Sequence, residues 1–393
     1  MKSSPDNLDL KGLWNDPRIR GIFYQILVIG LFLGVALYLV SNTMERMAQQ
    51  SIASGFGFLE KEASFGISES PIEYSPADSY LRAFVVGLLN TFKVGLLGVF
   101  LATILGTLIG IARLSHNWLV AKVSLVYVEV LRNVPLLLQL FFWYALLTEI
   151  LPHPRQALQP LEGLVFLSNR GLMFPAPVWD TLYGWVLATL VIGIFGALAL
   201  GIWTRRRQER TGQRFPLLWG ALGLVLGLPL VVFLLLGAPL DWDVPALRGF
   251  NFRGGLALSP EFAALLAGLT LYTAAFIAEI VRSGILAVPK GQTEASLALG
   301  LSRARVLRLV VLPQALRVII PPLTSQYLNL IKNSSLAVAI GYPDLVSIAN
   351  TTINQTGQAI EGIAMIMAVY LTISLSIAAF MNWYNRRIAF KER

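Results

Sequence analysis

Residues 84–112 read FVVGLLNTFKVGLLGVFLATILGTLIGIA, and Lys93 is the one charge in that run. A helix that crosses a membrane needs about 20 mostly apolar residues, because the hydrocarbon core is about 30 Å thick. This run is longer than that. Inside hydrocarbon every backbone N–H and C=O must find its partner within the protein, so an apolar run of this length reads as a helix. Working outward, comparable runs stand at 22–41, 119–151, 182–203, 216–237, 262–287, 315–341 and 360–383. The sequence therefore predicts an all-α polytopic membrane protein with about eight transmembrane helices.

The run 119–151 is too long for one crossing. Arg132, Asn133 and Pro135 interrupt it. The residue before a proline disfavours helix, so a bend is expected there, with part of the segment near the cytoplasmic interface. About twenty residues precede the first span, and no small-x-small cleavage site follows it, which predicts a signal anchor rather than a cleaved signal peptide.

Composition agrees with the spans. Of 393 residues, 55% are apolar and 13% are charged, against roughly 25% charged in a soluble domain. Mean hydropathy is +0.65. A soluble enzyme could not hide that much apolar surface, and a disordered chain would not contain it. There is no cysteine, so disulfides, thiolate metal sites and cysteine nucleophiles are excluded. The two histidines, His116 and His153, are too few for a histidine-rich metal centre.

The net charge of +9 is explained by topology. With the N-terminus inside, twenty-one of the 31 Lys and Arg residues fall in inner segments, seven fall in outer ones, and Lys93, Arg132 and Lys332 sit within spans. The positive-inside rule then places both termini in the cytoplasm. Anionic lipid accounts for the basic balance without a nucleic-acid partner.

The outer segment 42–83 is long and acidic, with Glu45, Glu60, Glu62, Glu69, Glu73 and Asp78. It reads as a solvated connection or as a docking surface for a soluble partner. Segments 152–181 and 238–260 read as Pro- and Gly-containing outer loops, and 204–215 as a short basic inner turn. Gly106-x-x-x-Gly110 and Gly223-x-x-x-Gly227 read as helix-packing motifs. Trp179, Tyr183, Trp203, Trp219, Trp383 and Tyr384 fit an interfacial aromatic belt.

One inner connection stands apart. From Val288 it reads VPKGQTEASLALGLSRARVLRLVVLP, ending at Pro313. Residues from about Gln292 to Leu299 favour helix, with Glu294 expected in the first turn, where a carboxylate suits the helix dipole. Gly300 is suited to a left-handed cap and Ser302 to an N-cap. Leu301, Val306, Leu309 and Val310 predict one apolar stripe, with Arg303, Arg305 and Arg308 outside it. Pro313 is expected to stop that helix and start the next span. Periodicity alone allows an ordinary interfacial helix pair.

The residue spacing is more specific. Glu294-Ala295-Ser296, then Gly300, then Val310, Val311, Leu312 and Pro313 resemble the cytoplasmic motif of ATP-binding-cassette importer permeases. Ser296 and Val310 depart from its Ala and Ile. The stretches 90–115, 132–142 and 271–282, together with 332–336, resemble the polar amino-acid uptake branch of that family, and most of all the larger permeases of general L-amino-acid transporters.

The resemblance implies a type I importer permease in a bacterial inner membrane. It implies an ATPase dimer as partner, with ATP and Mg held there and no cofactor in this chain. It also implies a second, related permease subunit and a periplasmic amino-acid-binding protein. In that family the segment around 290–313 forms coupling helices in a cleft of the ATPase, so Glu294, Ala295, Ser296, Gly300, Arg303, Leu312 and Pro313 are the expected coupling residues. The expected organisation is an N-terminal part, 1–83, followed by a permease domain, 84–393. The domain's core is 84–151 and 260–390, and 152–259 is an insertion with two further spans. No Gly-Lys pair occurs, so a phosphate loop is absent from this sequence.

Charges and polar groups within spans default to a function or a buried pair. Glu129 with Arg132, and Glu279 with Arg282, stand at i,i+3 spacing and are expected to pair. Asn90, Thr91, Lys93, Gln139, Thr270, Thr273, Asn329, Lys332, Asn333, Ser334 and Ser335 could line a path for a zwitterion, which needs acceptors for its ammonium and donors for its carboxylate. Helix-to-helix hydrogen bonding is the other reading of the same groups. An ion-coupled secondary transporter or channel using Glu129, Glu279 and Lys332, or a membrane scaffold that recruits an ATPase for another task, remain the alternative functions.

Overall fold

The computed structural model describes residues 17–49, 54–178, 180–213, 215–237 and 241–388. The terminal segments 1–16 and 389–393, expected in the cytoplasm, lie outside the described residues, as do Trp179 of the aromatic belt and Arg214 of the basic turn.

The helices are α1 (Pro17–Gln49), α2 (Tyr80–Ala112), α3 (Trp118–Asn133), α4 (Leu136–Ala145), α5 (Tyr183–Thr211), α6 (Leu217–Leu222), α7 (Leu228–Leu235), α8 (Pro260–Leu286), α9 (Lys290–Ala298), α10 (Arg303–Val306), α11 (Leu312–Asn333), α12 (Leu345–Thr356) and α13 (Ala359–Ile388). Seven helical stretches among the described residues are long and apolar enough to cross a membrane, and the bent pair α3–α4 makes up to eight.

The bend is 105° and falls where the sequence places it. Val134 is extended before Pro135 (φ −96°, ψ 128°), as the pyrrolidine ring requires of its predecessor. Gln139 turns back and its Nε2 donates to the carbonyls of Leu131 and Val134, both at 2.9 Å. Those carbonyls would otherwise be orphans in an apolar environment.

The chain divides into two units, with the boundary inside α2 between Lys93 and Val94. One unit comprises residues up to Lys93 and from Pro343 onward. In it the segment from residue 54 to 79, expected on the outer side, is folded and bound down. A short 3-10 turn, Phe56–Glu60, buries Phe58, and Phe58, Tyr80 and Phe84 pack with Leu345, Ile348 and Ala349. The Gly55 amide donates to Glu361 Oε1 at 2.6 Å, and the Tyr80 hydroxyl donates to Gln355 at 2.9 Å. Helix α12 occupies a stretch that the sequence reads only as a connection. Asp344 caps it by accepting from the Ser347 amide at 2.9 Å, and the left-handed Gly357 ends it (φ 73°).

The other unit is Val94–Tyr342. Helix α8 is its centre, flanked by α3, α4 and α11. Small residues let the rest of α2 approach it. A Cβ on Gly106 would lie 2.6 Å from Ile277 Cβ, and one on Gly110 would lie 2.6 Å from the Ala278 carbonyl. That motif packs as its spacing predicts. Gly223 and Gly227 do not: nothing lies within 4 Å of a Cβ built on either. They bound a π turn, Gly223–Gly227, between α6 and α7. The contact in that hairpin is made instead by Gly193 on α5, which faces the Leu224 carbonyl.

The segments expected as irregular outer loops carry short strands. β1 (Leu158–Leu161), β2 (Val165–Ser168), β3 (Gly171–Phe174) and β8 (Leu256–Leu258) form one antiparallel sheet in that order. β4 (Ala176–Pro177) pairs with β5 (Trp242–Asp243), and β6 (Ala246–Arg248) with β7 (Asn251–Arg253). The insertion is thus a helical hairpin topped by a small β cap. The molecule stays predominantly α-helical.

Candidate functional site

The segment between α8 and α11 begins at Pro289, whose fixed φ suits a helix N-terminus. Helix α9 starts at Lys290 rather than Gln292, so Glu294 lies beyond the first turn and the expected dipole contact is not made. Gly300 adopts φ +78°. Its amide donates to the Leu297 carbonyl at 2.9 Å, and the Leu301 amide donates to the Ser296 carbonyl at 3.3 Å. This pair of bonds is a Schellman C-cap, which a glycine completes without steric cost. Ser302 holds the N-cap position of α10, yet its hydroxyl makes no capping bond there.

A π turn, Leu307–Val311, then joins α10 to α11, so the helix runs on from Arg303 to Ile340. Pro313 therefore does not stop it. A π turn adds one residue to the helical register, which accommodates a following proline that lacks an N–H. The same added residue breaks the expected stripe. Val306 is buried and Leu301 and Val310 are half-buried, but Leu309 faces outward with Leu307. Arg303, Arg305 and Arg308 are exposed, as expected.

The free face of α9 carries Glu294, Ala295 and Leu297, and Leu299 after it is 83% exposed. Ser296 points inward and its hydroxyl donates to the Gln292 carbonyl at 2.6 Å. Leu312 and Pro313 are exposed. A cavity of about 370 Å³ lies beside this face, lined by Ile285, Leu286, Val288, Lys290, Thr293, Glu294 and Val311.

The ion pairs within spans are only partly those expected. Glu279 bonds Arg282 at 2.6 Å and also bonds Arg113, at the end of α2. Glu129 and Arg132 form no ion pair. The Arg132 guanidinium lies 5.1 Å from the centre of the Phe276 ring instead, a cation–π arrangement.

The polar residues considered for a substrate path divide by environment. Asn90 is fully buried, and its Nδ2 donates to the carbonyls of Glu69 at 2.8 Å and Pro343 at 2.9 Å. Thr91 accepts from the Leu345 amide at 3.1 Å, and Lys93 pairs with Glu69 at 2.5 Å. Gln139 holds the bend. Thr270 and Thr273 are buried on α8. Ser334 and Ser335 donate back to the carbonyls of Ile331 and Lys332, each at 2.7 Å. Asn333 is half-buried. Ser325, Asn329 and Lys332 are exposed at i, i+4 and i+7 on α11, one continuous polar face in a membrane-length helix. Among the described residues no three His, Asp or Glu side chains gather as a metal site.

Residues 210–390, which include the whole of α9–α12, match the family model for the binding-protein-dependent transport system inner membrane component. The chain is 52% identical over 378 residues to the general L-amino acid transport system permease protein AapQ of Rhizobium johnstonii, covering 96% of this chain and 94% of that one. It is 53% identical over 383 residues to the putative amino-acid ABC transporter permease protein YhdX of Escherichia coli, covering 96% of each. Against the glutamate/glutamine/aspartate/asparagine transport system permease protein BztB of Rhodobacter capsulatus, identity is 44% over 409 residues, with 96% of each covered.

Proposed function

This chain belongs to the binding-protein-dependent inner-membrane permeases of amino-acid ABC importers, and on that premise we propose that it carries L-amino acids inward through a bacterial inner membrane, driven by ATP hydrolysed on a separate ATPase dimer. A periplasmic binding protein delivers the amino acid. A second, related permease completes the path. Both termini face the cytoplasm, in line with the distribution of Lys and Arg. The permease core is 84–151 and 260–390, interrupted by the insertion 152–259.

The observation that carries this reading is the shape of the segment 290–313. A short helix is capped by a left-handed Gly300 and presents Glu294 and a nearly bare Leu299 outward. Ala295, Leu297 and Leu299 are exposed together beside Glu294, an apolar strip that a cleft in another subunit would cover. Through the π turn the segment is continuous with α11. A push on α10 is therefore transmitted to a membrane helix without a break, and α9 bears on it through the turn at Gly300. Such a push biases alternating access only if ATP-bound and free ATPase hold the segment differently.

Transport specificity then falls on the polar face of α11. Asn329 and Lys332 are exposed there, with Asn333, Ser334 and Ser335 in the next turn. A polar face lining lipid is costly, so it faces the substrate path or the second permease. The ion-coupled alternative is less well supported, because Glu279 is already held by Arg113 and Arg282.

Glu294→Lys and Gly300→Asp test the proposal in membrane vesicles carrying the whole complex. Both variants should insert and lose ATP-driven uptake. Full uptake with unchanged ATPase stoichiometry in both would refute it.

A further inference from the structure

A second cavity, of about 240 Å³, opens between the end of α2, the start of α3 and α8. Arg113, Trp118, Ala121, Lys122, Leu125 and Arg282 line it. We infer that this cavity binds the phosphate of an anionic phospholipid headgroup.

Charge is the first reason. Arg113, Lys122 and Arg282 contribute three positive charges, and Glu279, bonded to both arginines, neutralises one. Two remain in excess. Lys122 is exposed and forms no ion pair among the described residues. Arg113, by contrast, has a side chain only 10% exposed, so the site is built into the fold rather than scattered over a surface. Guanidinium groups match phosphate oxygens with paired donors, and an ammonium adds a point charge.

Position is the second reason. Helix α2 ends at Ala112, and α3 begins at Trp118 after the Asn117 cap. The turn that follows the membrane-length α2 marks the edge of the hydrocarbon, where tryptophan prefers to sit. Trp118 is 74% exposed. Leu119, Val123 and Val126 continue an exposed apolar face along α3 from the cavity. The volume suits a phosphodiester headgroup, and the apolar face offers a track for the acyl chains. A free phosphate would use the arginines and Lys122 but has no use for that track. Basic pockets between membrane helices are suited to acidic headgroups in this way. The inference does not depend on what is transported.

The test uses the full complex, delipidated in detergent and re-exposed to phosphatidylglycerol or phosphatidylcholine, with bound lipid counted by native mass spectrometry. Phosphatidylglycerol should be retained and phosphatidylcholine lost. Lys122→Ala should weaken retention about fivefold, the effect of one basic group near an anionic headgroup, and Lys122→Glu should weaken it further. Arg248→Glu in the β cap should change nothing. Inorganic phosphate at millimolar concentration should not displace the lipid. Equal retention of the two lipids, retention unaffected in both Lys122 variants, or displacement by phosphate would overturn the inference. So would loss of the ATPase subunit from the Lys122→Glu complex with phosphatidylglycerol still bound, which would assign the cavity to a protein contact.

Discussion

The Leu301 amide donates to the Ser296 carbonyl across Gly300, at 3.3 Å. That bond turns the chain sharply between α9 and α10, and it requires the left-handed backbone at Gly300 (φ +78°). A Cβ there would meet no neighbouring atom, so the cost of a side chain is conformational. Gly300→Ala should therefore destabilise the turn by about 1 kcal/mol while the protein still folds. ATPase activity stimulated by substrate should drop more than basal activity, as measured on the purified complex. Equal stimulation in variant and wild type would detach the turn from coupling.

Glu279 joins Arg113 and Arg282 inside a membrane helix. Glu279→Gln leaves two guanidinium groups close together without a counter-charge. Breaking one side of this part-buried ion cluster costs about 1–2 kcal/mol, less than for a fully buried pair because solvent reaches Glu279 and Arg282. The thermal midpoint of the detergent-purified chain should fall by several degrees. An unchanged midpoint would mean that solvent already screens the cluster.

Gly106 and Ile277 are in direct contact. Gly106→Leu should force α2 away from α8 and destabilise by about 1–3 kcal/mol. Gly223→Leu should be tolerated, because nothing lies within 4 Å of its Cβ position. Expression and monodispersity of the two variants compare the two sites directly.

Asp344 is fully buried at the start of α12. Burial pushes its carboxyl up to about 7, against bonds from Ser347, Val346 and Tyr370 that pull it down. A raised carboxyl means that the folded chain holds a proton that the unfolded chain has released. Stability should therefore be highest near pH 4 and fall as pH rises through about 7, levelling above that. Asp344→Asn, which still caps the helix, should flatten this profile. A midpoint in wild-type protein that rises with pH over this range would contradict the assignment.

Lys332 on α11 is exposed and lies one turn from Asn329. Lys332→Ala should raise the amino-acid concentration needed for half-maximal uptake about tenfold, the size of a lost charged hydrogen bond, with the ATPase still bound. Unchanged uptake would move the path away from this face.

The membrane-spanning helices were legible because the bilayer demands a long apolar run and little else resembles one. Pro135 announced the bend at α3–α4, and Gly300 announced its cap, since each imposes a backbone state by itself. The short helix and glycine turn within 290–313 were legible from the helix formers before Gly300. Features that depend on distant partners were not. Nothing in the residue types shows that Gln139 bonds back across the bend to Leu131 and Val134. Asn90 hides its link to Pro343 in the same way. The β cap escaped notice because its strands are two to four residues long, too short to set up a visible alternation. Helix α12 is only half apolar, so it resembled a connection. The π turn at Leu307–Val311 inserts a register shift that no single residue type signals.

Uptake of labelled amino acid into proteoliposomes containing the whole complex tests the central claim most directly. Uptake should require ATP, the binding protein and an intact 290–313 segment, and should survive an uncoupler. Uptake that persists without ATP and collapses when the ion gradient is dissipated would contradict it.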